Sequence, residues 1–149
     1  MSPAGSTPRK RGSGCANEIC RTPTRLDAVA DAAVEGRLGD ALLAARQAVD
    51  TGTDPVVLVN ALASVLRTLA KVGAAGRSAK SFELAGQLGM APWQIDKARR
   101  QLAGWTPRGI VAAVGAIALA DAQVKGAASD PIYALEHAIS EIASARAAR

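Results

Sequence analysis

Between Leu84 and Leu135 the chain is broken three times by a glycine followed closely by a proline. The breaks are Gly89-Met-Ala-Pro92, Gly104-Trp-Thr-Pro107 and Gly126-Ala-Ala-Ser-Asp-Pro131. Glycine suits the end of a helix because it accepts the left-handed backbone that closes one. Proline suits the first helical position, where its missing N–H would have no partner anyway. Thr106 and Asp130 stand just before two of these prolines, where a side-chain oxygen can accept a bond from an orphan amide. Such punctuation rules out one long helix and specifies several short ones.

The preceding residues extend the pattern. Leu26, Val29, Ala30, Ala33 and Val34 recur at helical spacing up to Gly36, and Leu38, Ala41, Leu42, Ala45, Ala48 and Val49 form a second stripe up to Gly52. After Thr53-Asp54-Pro55 comes the strongest stripe: Leu58, Leu62, Val65, Leu66, Leu69 and Val72. Asn60, Ser64, Arg67 and Lys71 fall on its other side. Gly73 and Gly76 are expected to bracket a loop, with Ser78 capping a fourth helix that ends near Leu88. The fifth helix starts at Pro92 and buries Ile95, Ala98 and Leu102, with Trp105 in phase. The sixth starts at Pro107 and carries Ile110, Val114, Ile117 and Val124. The last starts at Pro131 and shows Ile132, Leu135, Ile139 and Ile142. No segment alternates with period two, so the expected fold is all-α: one array of about seven short helices over residues 25–149.

Residues 1–24 are rich in Gly, Pro, Ser and Arg and lack a hydrophobic period, so a disordered basic tail is expected there. The net charge of +5 gathers at this end. Arg9, Lys10, Arg11, Arg21 and Arg25 face only Glu18, which leaves the remaining residues nearly neutral. A basic tail is weak support for a nucleic-acid partner, because the folded part offers no basic excess. Cys15 and Cys20 stand in the same tail without further ligands nearby, so two free thiols are expected rather than a metal site. No run approaches the roughly 18 apolar residues that cross a bilayer. No signal-peptide pattern occurs either, and a cytoplasmic protein without a membrane partner is the expectation.

Catalytic chemistry is hard to find. Gly73-Ala-Ala-Gly76-Arg77-Ser78 has glycines, a cation and a serine, but not the phosphate-loop spacing, and no strand precedes it. His137, with Tyr133 and Glu141 one turn to either side, reads as a solvated helical residue rather than a general base. Asp27/Asp31 and Asp50/Asp54 suit helix surfaces and ends. No catalytic residue, cofactor, metal or small-molecule substrate is expected.

Two resemblances remain. Phe82 to Leu102 resembles a helix-turn-helix DNA reader: Ala85 allows a close helix crossing, Gly89 makes the turn, and Ile95 fills the angle between the helices. Its outward face would be Trp93, Lys97 and Arg100, with Gln94 and Gln101 beside them, reaching phosphates and base edges. Any tight pair of crossing helices needs the same three residue types, so this signal has limited specificity.

The broader resemblance runs from about Leu26 to Ile142. Its residues are Val29-Ala-Asp-Ala-Ala-Val34, Gly39-Asp-Ala-Leu-Leu43 and Ala48-Val-Asp-Thr-Gly-Thr-Asp-Pro55. Next come Leu66-Arg-Thr-Leu-Ala-Lys-Val72 and Leu88-Gly-Met-Ala-Pro-Trp-Gln-Ile-Asp-Lys-Ala-Arg-Arg100. Ala120-Asp-Ala-Gln-Val-Lys-Gly126 and Asp130-Pro-Ile-Tyr-Ala-Leu-Glu136 close the series. In this order and spacing the chain resembles the C-terminal helical domain of the delta subunit of bacterial DNA polymerase III, in its actinobacterial form. The resemblance implies a non-catalytic collar domain that associates with the other clamp-loader subunits in DNA replication and meets DNA only indirectly or weakly. The family belongs to the polymerase III holoenzyme, a nucleotidyltransferase, but delta itself does not hydrolyse ATP. The family's N-terminal AAA+-like module has no counterpart here, so clamp binding and opening are not carried over. A fragment, a truncated gene product and a misassigned start all fit that departure. Candidate partner or DNA contacts are Trp93, Lys97, Arg99 and Arg100, with Trp93 equally suited to covering the start of its own helix.

Overall fold

The computed structural model describes residues 25–127 and 130–148. The expected tail over 1–24, with Cys15 and Cys20, lies outside the described residues. Within them the chain forms seven α-helices and no strand. They are α1 (Arg25–Val34), α2 (Leu38–Asp50), α3 (Pro55–Ala75), α4 (Ser81–Leu88), α5 (Pro92–Leu102), α6 (Pro107–Ala122) and α7 (Pro131–Ala147). A single wider turn, Gln123–Ala127, leads away from α6, with Gly126 at φ +143°.

The caps form where the sequence placed them. Thr106 Oγ1 accepts from Gly109 N at 3.0 Å, and Asp130 Oδ1 accepts from Ile132 N and Tyr133 N at 3.1 and 3.0 Å. Asp54 Oδ1 does the same for Val56 N at 2.9 Å. Each bond satisfies a donor that a helix start leaves open.

Packing is organised around α3, which contacts α1, α4, α5, α6 and α7. Its Leu58, Val59, Leu62, Leu66 and Leu69 are fully buried. The neighbours meet this leucine row with small or branched side chains: Val29, Ala30, Ala33 and Val34 from α1, Ala113, Ile117 and Ala120 from α6, and Leu135, Ile139 and Ile142 from α7. With aromatic residues at only 3% of the chain, large rings cannot fill the gaps, so the helices must approach closely.

The tightest approach joins α6 to α7. A Cβ at Gly109 would lie 2.6 Å from the Ala145 carbonyl oxygen, a backbone atom with no side-chain freedom to move aside. Gly104 is crowded differently: a Cβ there would meet Arg146 Nη2 at 2.2 Å, the far end of a flexible side chain. The α5–α6 corner is further tied to α1 by Trp105, whose Nε1 donates to the Val34 carbonyl at 2.9 Å.

Several details depart from the sequence pattern. α3 does not stop at Gly73 but continues through it to Ala75, because Gly73 is a crossing position rather than an end. A side chain there would sit in ordinary contact distance of Leu102 and Ile110. α4 begins at Ser81 rather than being capped by Ser78: Glu83 Oε2 accepts from Lys80 N at 3.4 Å and sets the start. Ile132 is 43% exposed, since burial on α7 begins only at Ala134 and Leu135. Its first turn therefore extends beyond the packed layer. The expectation that nothing is long and apolar enough to cross a bilayer also needs correction. Pro55–Ala75 and Pro107–Gly126 both pass that test of length and composition. The apolar face of the first is occupied by the surrounding helices, which explains its composition without lipid.

Gly109→Ala is expected to lower stability by about 1–3 kcal/mol, since α7 must shift to admit the methyl group. Gly86→Ala, in α4 with open space around it, is expected to raise stability by about 0.4–1 kcal/mol. Urea unfolding of both variants checks the pair; equal effects would mean that the α6–α7 approach is not a constraint.

Candidate functional site

The candidate contacts lie on α5. Pro92 occupies its first turn, and Gln94 Oε1 accepts from Ala91 N at 2.9 Å. The helix is amphipathic, with Ile95 and Ala98 buried on the side facing the core. Gly89, at φ +68°, closes α4 and turns the chain into α5. The turn and the buried Ile95 that a helix-turn-helix unit needs are therefore present.

Most of the expected reading face does not point outward. Lys97 Nζ pairs with Asp31 Oδ2 of α1 at 2.7 Å, with the two side chains 34% and 16% exposed. Gln101 is 7% exposed, and its Nε2 donates to Asp31 Oδ1 at 2.9 Å and to Glu35 Oε2 at 3.2 Å. Trp93 and Gln94 line a cleft of about 270 Å³ shared with Asp27, Asp31, Ser64 and Thr68. This face of α5 is turned onto α1 and α3, beside carboxylates that would repel a phosphate backbone. The helix-turn-helix alternative gains no support from this arrangement. Two short crossing helices in a bundle need the same residue types as a DNA reader, and here the bundle uses them.

The four candidates separate into different roles. Arg100 is exposed. Trp93 is half-buried over the start of α5. Lys97 is held in the pair with Asp31. Arg99 is half-buried and donates to the Ala79 carbonyl, to the Gly76 carbonyl at 3.5 Å and to Ser81 Oγ at 3.3 Å. It thereby clamps the α3–α4 connection onto α5. Ser81 Oγ in turn donates to Asp96.

Gln101 is the residue that sequence reasoning misplaced. It stands six residues after Ile95 and three after Ala98, which puts it at the edge of the buried stripe. Its amide joins two carboxylates of α1, extending a network that runs through Glu35 to Arg37. The Arg37–Glu35 pair is 2.7 Å long. Elsewhere Arg46 Nε meets Glu136 Oε1 at 2.5 Å between α2 and α7, and Lys125 and Asp121 form an i,i+4 pair at 2.8 Å. His137 is exposed and stacks on Tyr133, with ring centroids 5.8 Å apart. No group of three or more potential metal ligands occurs among the described residues.

The network has a signature in acid. Burial works to raise the Glu35 carboxyl, but hydrogen bonds from Arg37 and Gln101 and the charges of Arg37 and Lys97 outweigh it. The net effect holds the group below the ordinary 4.5. A carboxyl lowered by folding contributes stability that is present above about pH 4.5 and is lost as pH falls through its folded value. Glu35→Gln is expected to flatten that acid-side loss by less than about 1 kcal/mol, the range for a partly solvated pair. Urea midpoints on both sides of pH 4.5 check it; an unchanged slope would mean that the network carries no such linkage.

Known proteins share this outline. The family model described as "DNA polymerase III delta subunit, C-terminal domain" matches residues 28–142. Among solved structures, the DNA clamp loader delta protein of Bacillus subtilis matches with a TM-score of 0.72 at 12% identity. That match covers 85% of this chain and 39% of the Bacillus protein. At this identity the likeness speaks for the fold, and the chain spans well under half the length of that relative. No curated protein gives a significant match.

Proposed function

The chain belongs to the family formed by the C-terminal domain of the DNA polymerase III delta subunit, and from that premise we propose that it is a non-catalytic assembly module of a clamp loader. The observation that carries this reading is the family match across almost the whole helical array, residues 28–142. The character of the described residues supports it. Lys97 and Arg99 of α5 are engaged in fixing helices to one another, while large aliphatic side chains stand exposed at Leu43, Val111 and Leu119. Exposed apolar surface of this kind suits a protein partner more than a reaction.

In this reading the partners are the other clamp-loader subunits, and DNA is met through the assembly rather than gripped by this chain. Its place of action is the cytoplasm, where a replication machine works. Trp93 and Arg100 are its candidate partner contacts on α5. Lys97 and Arg99 contribute by holding that helix in position. Clamp opening is left to other parts of the machine.

Mixing the full chain with the remaining clamp-loader subunits, followed by size exclusion with light scattering, is expected to give a discrete complex of defined mass. Titration with duplex DNA alone is expected to show only weak, salt-sensitive binding. A folded monomer that ignores those subunits at micromolar concentration would overturn the assembly reading. Tight binding to DNA by the chain alone would replace it.

A further inference from the structure

A groove of about 870 Å³ runs between the C-terminal ends of α3 and α5 and the first turns of α6. Val72, Leu102, Trp105 and Ile110 give it apolar walls, and Gly73 and Ala74 on α3 keep it wide by offering almost no side chain. Val111, 73% exposed, carries the apolar surface outward at the rim. The volume lies within the range of about 300–1,000 Å³ common for ligand clefts.

Charge narrows the choice of occupant. Among the described residues the groove is lined by two guanidinium groups, Arg77 and Arg99, and by no carboxylate. Arg99 is oriented by neutral partners, the Gly76 and Ala79 carbonyls and the Ser81 hydroxyl. The nearby Asp96 is engaged by that hydroxyl. Arg77 is exposed on the short segment after α3. Covering this groove with a purely apolar ligand would take the exposed Arg77 out of water and leave both guanidinium groups without a counter-charge. A stable occupant has to bring its own negative charge.

We propose that this groove docks an amphipathic segment of a partner protein, one that lays aliphatic side chains along the walls and presents a carboxylate to Arg77 and Arg99. This is the helix-in-groove mode of recognition, with arginine at the edge giving register. The proposal rests on the assembly reading and deepens it by locating the surface and stating the chemistry of what it takes. It also gives a role to Gly73-Ala-Ala-Gly76-Arg77, whose glycines and cation match no phosphate loop.

The test uses the full chain and the variants Arg77→Glu and Val111→Glu, both at solvent-facing positions, with Val57→Glu in the first turn of α3, at the opposite end from the groove, as control. One arm measures assembly with the remaining clamp-loader subunits by light scattering. The other titrates anilinonaphthalene sulfonate, an apolar anion, and follows its fluorescence. Both groove variants are expected to weaken both kinds of binding at least about tenfold, with unchanged thermal melts, while Val57→Glu changes neither. Groove variants that behave as wild type while the chain assembles would overturn the groove and leave the assembly reading standing. Sensitivity of the dye alone, with no assembly by wild type, would overturn the proposed occupant. A wild-type dimer abolished by Val111→Glu would assign the groove to a second copy of this chain instead.

Discussion

The structure depends on how closely α6 can approach α7. At Gly109 the distance left for a side chain is 2.6 Å to the backbone oxygen of Ala145, so the two helices meet main chain to main chain. That contact lets Ile139 and Ile142 of α7 join the leucine row of α3 in one core, and one apolar face of each of the three helices is then buried. In a chain with so few rings, small residues at crossings take the part that aromatic packing plays elsewhere. Burial of each large aliphatic side chain contributes roughly 1.5–3 kcal/mol, but only if the helices come close enough to exclude water. Glycine and alanine make that possible here.

Polar interactions then fix which way the secondary helices face. Asp31 receives Lys97 and Gln101 from α5, and the Val34 carbonyl receives Trp105 from the corner that follows. These bonds turn Lys97 and Gln101 toward α1 and leave Arg100 of the would-be reading face exposed. The helix-turn-helix alternative draws no support from this arrangement beside the carboxylates of α1. What remains exposed at the other end of α5 is a groove with apolar walls and positive edges. On the proposed reading, this groove is where another protein joins the module.

Much of this was legible in the residues. The glycine–proline breaks placed the starts of α5, α6 and α7, and Thr106 and Asp130 cap as their positions implied. The stripe from Leu58 to Val72 marked the central helix. The misreadings share one cause, which is that local pattern does not say what lies across from a residue. Gly73 looked like an end because glycine often is one, yet it lies where α3 passes Leu102. Gln101 looked solvated because amides usually are, yet two carboxylates of α1, far away in the sequence, gave it partners. Lys97 and Arg99 looked available for the same reason. The apolar groove had no local signature at all, since its walls come from three helices.

Hydrogen–deuterium exchange on the full chain, free and mixed with the remaining clamp-loader subunits, tests the central claim most directly. The claim is that this fold acts by presenting surface rather than performing chemistry. The account predicts slowed exchange at the end of α3, along α5 and in the first turns of α6, with the buried rows of α3 and α7 already protected in the free chain. Exchange that is unchanged by those subunits at every peptide would contradict it.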